Sequence, residues 1–224
     1  MEEYDFWDTY KDDLLDRYLE FGWFRMLHFM FTTDNIEKEN QTFPVFWLRY
    51  QINKINFNKK HRQLNNSNKN FTVTIEPLII DAEIEELFIN YKKTATFMGY
   101  KTIAEAFETG LTVFDTYVIT IRNNNQLIAC GFFDKGKNAI AGIMNIYHPD
   151  YKKYSLGKYL LMQKINYCIV NNIPLYYPGY LVPGLAKFDY KLYPDVTATE
   201  VYVQTLGIWI SYNDWLFNKQ TLVI

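Results

Sequence analysis

The stretch that decides the fold is residues 113–170, VFDTYVITIRNNNQLIACGFFDKGKNAIAGIMNIYHPDYKKYSLGKYLLMQKINYCIV. It contains three runs rich in β-branched and aromatic residues, at 113–121, 126–133 and 139–147, which are typical of strands. Three asparagines, 123–125, separate the first two runs, and asparagine tolerates the left-handed backbone of a tight turn. Apolar residues at spacings of three and four then predict a helix over 155–170. The stretch therefore predicts an antiparallel meander followed by a helix.

The flanking segments add further elements. Additional helices are predicted at 8–20, 81–93 and from the Thr102–Glu105 capping box to Gly110. Additional strands are predicted at 44–52, 71–75, 173–177, 200–204 and 206–212. The expected class is α+β, a mostly antiparallel mixed sheet flanked by helices. We expect a smaller N-terminal α/β extension over 1–70, made of a helix, strands and a basic loop, and a main domain over 71–224.

Composition excludes several classes of protein. The chain has 224 residues, of which 49% are hydrophobic and 21% charged, so it is neither disordered nor fibrous. It has no long uncharged apolar run and begins with acidic residues, so we expect a cytoplasmic protein without a membrane partner. The two cysteines, Cys130 and Cys168, match no metal-ligand spacing and are predicted to be buried thiols, with no metal site.

Residues 49–69 form a basic segment in a chain of net charge −2. The segment contains no acidic residue, and its basic residues are Arg49, Lys54, Lys59, Lys60, His61, Arg62 and Lys69. Two interpretations stay open, a solvated asparagine-rich loop and a strip that contacts phosphates.

The connection between the third strand and the helix, residues 147–159, is the first candidate site. It presents the positive end of the helix dipole, flanked by Lys152, Lys153 and Lys158, which favours a phosphate or carboxylate. The order of elements is that of the acyltransferase fold of GNAT-type N-acetyltransferases, whose phosphate loop lies at this connection. Those enzymes usually show two glycines, or a glycine and an alanine, in that loop. Only Gly157 is present here, which argues against a coenzyme A pyrophosphate.

Four short motifs follow one another in the second half of the chain. They read Tyr147-His148-Pro149-Asp150, Ser155-Leu156-Gly157, Tyr177-Pro178-Gly179-Tyr180 and Lys187-Phe188-Asp189-Tyr190-Lys191. In order and spacing they resemble the C-terminal region of arginyl-tRNA–protein transferases and their bacterial leucyl-transferring relatives. Members of that family typically read Tyr-Asp-Pro-Asp, Ser-Leu-Gly, Tyr-Leu-Gly-Tyr and Lys-Met-x-Tyr-Lys. The resemblance is clearest over 113–194 and weaker over 17–25, Arg49 and 57–64.

The resemblance implies an aminoacyl-transferring variant of the GNAT-like fold. Its donor substrate is an aminoacyl-tRNA, its acceptor is the α-amino group of a protein N-terminus, of which an acidic one is an option, and it needs no cofactor. The residues expected to act at the reacting groups, or to hold an acidic acceptor side chain, are Tyr180, Lys187, Tyr190 and Lys191. The expected substrate-binding residues are Asp150, Ser155, Gly157, Lys158, Arg49, Lys59, Lys60 and Arg62.

The chain also departs from the family pattern. Family members usually carry a cysteine cluster before the basic stretch, whereas residues 43–48 here are FPVFWL. His148, Pro178 and Phe188 replace the family's Asp, Leu and Met. Two alternatives stay open for this reason, a coenzyme A-dependent N-acyltransferase and a non-catalytic protein that binds a protein terminus or RNA. The amino acid transferred is not determined by these motifs.

Overall fold

The computed structural model describes residues 2–94, 99–108 and 112–222. The helices are α1 (Asp12–Glu20), α2 (Lys59–Asn68), α3 (Ala82–Lys92), α4 (Ile103–Phe107), α5 (Leu156–Val170) and α6 (Tyr212–Leu222). The strands of the first half are β1 (Glu2–Asp5), β2 (Phe24–Met26), β3 (Phe29–Thr33), β4 (Asn35–Lys38), β5 (Gln41–Pro44), β6 (Phe46–Gln51) and β7 (Thr72–Pro77). The later strands are β8 (Thr116–Asn123), β9 (Gln126–Lys135), β10 (Ala139–Tyr147), β11 (Leu175–Leu181), β12 (Thr199–Val203) and β13 (Ile208–Ser211).

An eight-stranded sheet organises the chain, in the order β13-β12-β6-β11-β10-β9-β8-β7. Only β10 and β11 pair in parallel, and every other neighbouring pair in this sheet is antiparallel. The predicted α+β class with a mostly antiparallel sheet flanked by helices is confirmed. The predicted meander is confirmed as well, and Asn124 at the β8–β9 turn has a φ of +53°, in the left-handed region that asparagine tolerates.

Helices cover both faces of this sheet because side chains alternate along each strand. On β9, Phe133 packs against Tyr167 of α5, while the adjacent Phe132 packs against Phe107 of α4 on the other face. Cys130 and Cys168 are buried free thiols, as predicted, and burial raises the pKa of both. Each face therefore carries its own apolar core, and α5 is held firmly on one of them.

The N-terminal 70 residues contribute directly to the large sheet. Strand β6 lies between β11 and β12 and pairs with both, although it precedes residue 70. The remaining strands of this region form a small β1-β3-β2 sheet and a β4–β5 hairpin. The division of the chain at residue 70 stays a prediction.

The structure corrects the interpretation of the basic segment as a loop. Residues 59–68 form helix α2, because the Asn58 side chain caps its start and His61 Nδ1 accepts a hydrogen bond from the Asn58 backbone N–H. His61 is therefore a buried capping residue, not part of a solvated loop.

Other element boundaries also differ from the sequence-based expectation. Helix α1 begins at residue 12 instead of 8, and residues from 212 onward form the unexpected helix α6. The predicted end of a short helix at Gly110 lies outside the described residues. In the described part of the chain, every helix is too short or too polar to cross a lipid bilayer.

Candidate active site

A cavity opens where the two parallel strands separate. Strands β10 and β11 pair over three residues only, with Ala139–Ala141 of β10 beside Leu175–Tyr177 of β11. Immediately after these pairs, β10 shifts register against β9 between Gly142 and Met144, and β11 shifts register against β6 between Tyr176 and Gly179. Such bulges bend strands and disrupt local pairing. The resulting central cavity has a volume of about 720 Å³ and is lined by residues 142–145 of β10 and 178–180 of β11.

The first turn of α5 forms one wall of the central cavity. Ser155, Leu156, Gly157 and Lys158 all line it. Ser155 has a φ of +53° and makes no side-chain capping bond, so the turn enters the helix sharply. A Cβ built on Gly157 would meet only Tyr147, at 3.8 Å, so the protein itself has room for alanine there. The missing side chain instead leaves this turn's backbone accessible from the cavity, as an anion-binding turn requires.

Tyr180, Lys187, Tyr190 and Lys191 form a second wall of the cavity, the Lys191 wall. Lys191 is 8% exposed, and its Nζ donates a hydrogen bond to the Tyr180 carbonyl at 2.7 Å. Burial, with a smaller contribution from the charge of Lys187, lowers the pKa of Lys191 to about 7. Burial raises the pKa of Tyr190 to about 12. At neutral pH this wall thus presents an amine that can accept a proton beside a phenol that keeps its own.

Gly179 makes room for the Lys191 amine. Its φ of +88° lies in the left-handed region, and a Cβ built on it would stand 3.1 Å from Lys191 Nζ. Glycine is the residue that adopts this backbone without a steric penalty. Gly179, the glycine of the third motif, therefore provides the backbone conformation at the end of the β11 bulge and leaves space for the buried Lys191 amine.

The floor of the central cavity carries a polar pair. Asn145 of β10 lines the cavity, and its Oδ1 lies 2.9 Å from Nζ of Lys164, a residue of α5 behind the floor. Lys164 is 1% exposed, and its Nζ also donates to the Phe132 carbonyl at 2.8 Å. Burial lowers the pKa of Lys164 to about 7. Sequence reasoning missed both residues, although a lysine within an apolar helix and an asparagine within an apolar strand were visible signals.

The lining of the central cavity is strongly basic although the chain has a net charge of −2. Among the described lining residues there is no aspartate or glutamate, and the basic ones are Arg25, Lys152, Lys158, Lys187 and Lys191. Arg25 is already paired with the buried Asp134, at 2.9 Å, so its charge is largely compensated. Lys152, Lys158 and Lys187 leave a positive potential that favours an anionic ligand, and Lys191 adds to it when protonated.

The structure brings together most of the predicted site residues. Two predicted sets, the residues of the Ser155–Lys158 turn and the set Tyr180, Lys187, Tyr190 and Lys191, line the same cavity. Asp150 does not line it, because its side chain is 84% exposed and lies 3.7 Å from His148. The roles of the predicted site residues in binding and catalysis stay predictions.

Arg49 also lies away from the cavity lining. Its guanidinium pairs with Glu20 and Glu200, both at 2.6 Å, and lies 4.6 Å from the centre of the Trp209 ring. Two carboxylates and a ring already satisfy this guanidinium. The geometry therefore supports a structural ion pair here and gives no support to the expected phosphate contact.

The basic residues of α2 adjoin the cavity without lining it. Nζ of Lys60 and Nζ of Lys158 each lie 4.9 Å from the centre of the Tyr193 ring. Lys59 and Arg62 lie on the same helix and are exposed. The start of α2 therefore extends the positive surface outward from the Ser155–Lys158 wall.

The chain is similar to known proteins over most of its length. The family model described as "Arginine-tRNA-protein transferase, C terminus" matches residues 46–195. An aspartate/glutamate leucyltransferase from Campylobacter jejuni is 26% identical over 182 residues, 77% of this chain and 73% of that protein. A protein of the same name from Leptospira interrogans is 22% identical over 165 residues, 70% of this chain and 64% of that protein.

Solved structures show a similar fold at low identity. The C-terminal domain of a protein described as a lysylphosphatidylglycerol synthetase, from Agrobacterium fabrum, has a TM-score of 0.50 and 11% identity, and the match covers 61% of this chain and 46% of that one. FemX has a TM-score of 0.50 and 8% identity, covering 84% of this chain and 66% of that one. These likenesses concern the fold alone. Since the family model matches more than half of the 224 residues, the chain belongs to the arginine-tRNA–protein transferase family, a family of acyltransferases.

Proposed function

We propose that this protein transfers an amino acid from an aminoacyl-tRNA to the N-terminal α-amino group of a protein. The observation that carries the proposal is the central cavity, which is lined by both the α5 turn and the Lys191 wall and has no acidic side chain among its described lining residues. One wall suits the anionic end of the donor, and the other suits the reacting amine. We propose a GNAT-like fold for this arrangement, because the cavity lies between separating parallel strands and beside a helix N-terminus.

The donor end meets three kinds of complementary surface. Lys158 and the first turn of α5 favour phosphate oxygens. Tyr147 and Tyr190 line the same cavity and offer ring faces on which a terminal base can stack. The exposed cations of α2, Lys59, Lys60 and Arg62, extend the path along which a tRNA backbone can lie. These residues support a tRNA donor, and the reaction then belongs in the cytoplasm, where charged tRNA is available.

The chemistry is aminolysis of an ester. The α-amino nitrogen attacks the carbonyl carbon, a C–N bond forms, and the C–O bond to the terminal ribose breaks. In this proposal Lys191 Nζ accepts the proton lost by the amine and returns it to the departing ribose oxygen. The pKa of Lys191 is lowered to about 7, against about 8 for an α-ammonium group, so this transfer is uphill by about 1.4 kcal/mol. A barrier contribution of that size is small, and no cofactor is needed.

The cavity favours an apolar aminoacyl group over arginine. Apolar side chains from the N-terminal region line it, Phe24, Phe31, Ile36 and Trp47. An arginyl side chain would need a carboxylate partner, and the described lining offers none. We therefore propose leucine as the transferred residue, in line with the names of the similar proteins.

We propose an N-terminal aspartate or glutamate as the acceptor. Lys187 is exposed at the cavity, and its ammonium lies within 4.9 Å of the centre of the Phe188 ring. A lysine at this position can attract the acceptor's acidic side chain while Lys191 acts on its amine. The names of the similar proteins also specify aspartate and glutamate.

The test is a transfer assay with defined substrates, read by mass spectrometry. Leucyl-tRNA and arginyl-tRNA are each incubated with the protein and peptides that begin with Asp, Glu or Ala. We expect leucine to be added to the acidic peptides, and Lys187→Ala to raise the peptide KM about tenfold. Lys137→Ala, which removes an exposed lysine paired with Asp13, is the matched control.

Absence of an adduct with every charged tRNA would contradict the proposal. An acetylated peptide formed from acetyl-coenzyme A would instead favour the coenzyme A-dependent alternative. Binding of tRNA or peptide without any product would favour the non-catalytic alternative.

A further inference from the structure

The Asn145 side chain has a fixed orientation in the floor of the central cavity. Its Oδ1 accepts a hydrogen bond from Lys164 Nζ at 2.9 Å, and its Nδ2 lies 3.5 Å from the Gly157 carbonyl. A side-chain amide has one acceptor oxygen and an NH₂ group with two donors, and its hydrogen-bond network assigns which end is which. Because the oxygen accepts from Lys164, Nδ2 is the donor end: one of its N–H groups is directed to the Gly157 carbonyl, and the second is the donor that Asn145 can offer to a ligand in the cavity it lines.

Lys164 is held so that it can maintain this orientation. Its Nζ has three acceptors, the Phe132 carbonyl at 2.8 Å, Asn145 Oδ1 at 2.9 Å and the Met144 carbonyl at 3.5 Å. These acceptors surround the point where β10 shifts register, so the lysine fills the gap that the bulge opens. A primary amine donates hydrogen bonds in both of its protonation states. Asn145 Oδ1 therefore keeps its donor whether or not Lys164 is charged.

Strand β9, next to β10, leaves space for the Asn145 amide. Gly131 of β9 pairs directly with Asn145. A Cβ built on Gly131 would lie 3.0 Å from Asn145 Oδ1 and 3.0 Å from Leu160 Cδ2. That distance is shorter than ordinary packing contacts allow. Gly131 thus leaves the space that the Asn145 amide occupies. Gly131 of β9 and Lys164 of α5 together fix the position of this side chain on β10.

We propose that Asn145 is a catalytic residue whose amide N–H stabilises the oxyanion of the tetrahedral intermediate, and that Lys164 is its positioning residue. This inference rests on the proposed aminoacyl transfer. When the α-amino nitrogen attacks the ester, the carbonyl oxygen takes up the negative charge until the C–O bond to ribose breaks. Asn145 contacts the α5 turn, which suits the donor end, and lines the same cavity as Lys191, which suits the amine. A rigid amide donor at that place stabilises charge that exists only during the reaction.

The test replaces the donor without removing the contact to Lys164. Asn145→Asp is nearly isosteric and places a carboxylate beside the Lys164 nitrogen, so we expect unchanged or higher thermal stability. It also converts the cavity-facing donor into an acceptor. We expect kcat for leucine transfer to fall about 100- to 1,000-fold, the range seen when an oxyanion donor is removed, with the peptide KM changed less than about threefold. Asn125→Asp, on the exposed β8–β9 turn, is the control and should keep full activity.

A second variant separates loss of the donor from repulsion of the tRNA. Asn145→Leu removes the N–H without adding charge, and we expect a similar fall in kcat at saturating tRNA. If Asn145→Leu keeps kcat within about threefold of the wild type, the inference is overturned, whatever Asn145→Asp does. If the wild type itself forms no aminoacyl peptide, the proposed function fails instead, so the two failures are distinguishable.

A double-mutant cycle tests the positioning role of Lys164. Lys164→Met should lower kcat about tenfold or more in the wild type but have little further effect on kcat in the Asn145→Leu background. A purely structural lysine would lower kcat by the same factor in both backgrounds, and that result would remove Lys164 from the mechanism. Gly131→Ala should also lower kcat, since the added methyl group displaces the Asn145 amide.

Discussion

Burial of the Lys191 amine should make the stability of the protein depend on pH in a defined direction. A lysine in the unfolded chain has a pKa of 10.5, and burial lowers that of Lys191 to about 7. Between these values the unfolded state binds a proton that the folded state does not. The free energy of unfolding therefore rises with pH in this window and is lowest below about pH 7. Replacing Lys191 by methionine, which keeps the length of the side chain without titrating, should remove the part of this dependence that is due to Lys191.

The magnitude follows from the two pKa values. From pH 7 to pH 9, proton linkage at one such lysine raises the free energy of unfolding by about 2 kcal/mol. Lys164 contributes a second increment of similar size, because its pKa is also lowered to about 7. The difference between the wild type and Lys191→Met isolates one lysine, since every other titrating group is common to both proteins. We expect the gain from pH 7 to pH 9 to be smaller in the variant by about 2 kcal/mol.

The assay is urea unfolding at pH 7, 8 and 9, followed by tryptophan fluorescence. Lys137→Met, at an exposed lysine, is the control and should show the wild-type dependence on pH. In the transfer assay, kcat of the wild type should rise through pH 7 and then level, as the neutral amine becomes the dominant form. Equal pH dependence of unfolding in the wild type and in Lys191→Met would refute the reasoning, because the amine would then be charged in the folded protein.

Two further predictions concern the strand break and the basic surface. Gly179→Ala places a Cβ 3.1 Å from Lys191 Nζ at a φ of +88°. We expect this variant to lose about 1–2 kcal/mol in the free energy of unfolding, measured by urea unfolding. We also expect its kcat to fall about tenfold, because the Lys191 amine is displaced. An unchanged kcat would show that the position of the amine does not matter. Replacing Lys59, Lys60 and Arg62 together by alanine should flatten the dependence of log tRNA affinity on log salt by about 2 to 3 units and leave the melting temperature within about 2 °C, since these side chains are exposed. An identical salt dependence would place the tRNA elsewhere.

The central strands and α5 were predictable because their signals are local. Alternating apolar residues, an asparagine turn and helical spacing all lie within a few residues of one another in 113–170. Helix α2 was not predictable in this way, since it has few apolar residues and depends on the reciprocal cap between Asn58 and His61. The place of β6 between β11 and β12 is a long-range pairing that its own residues do not specify.

The candidate site, too, was predictable from the sequence only where its signals are local. The motifs alone were sufficient to select the Ser155–Lys158 turn and the Tyr180–Lys191 wall, because each is a short segment with characteristic residues. They did not indicate the environment of Lys191. The side chain is enclosed beside the β11 bulge, where Gly179 leaves space for it and the Tyr180 carbonyl accepts its hydrogen bond, and that burial changes an expected surface cation into an amine able to accept a proton.

By itself, the sequence determined the class of fold, the order of the central elements, the family and the residues of the two walls. Only the tertiary structure decided that these walls line one cavity, that Arg49 is engaged in ion pairs and that Lys164 holds Asn145 in the cavity lining. The physical reason is that hydrogen-bond direction, burial and pKa depend on which groups meet in space, and strand separation brings together groups that are far apart along the chain.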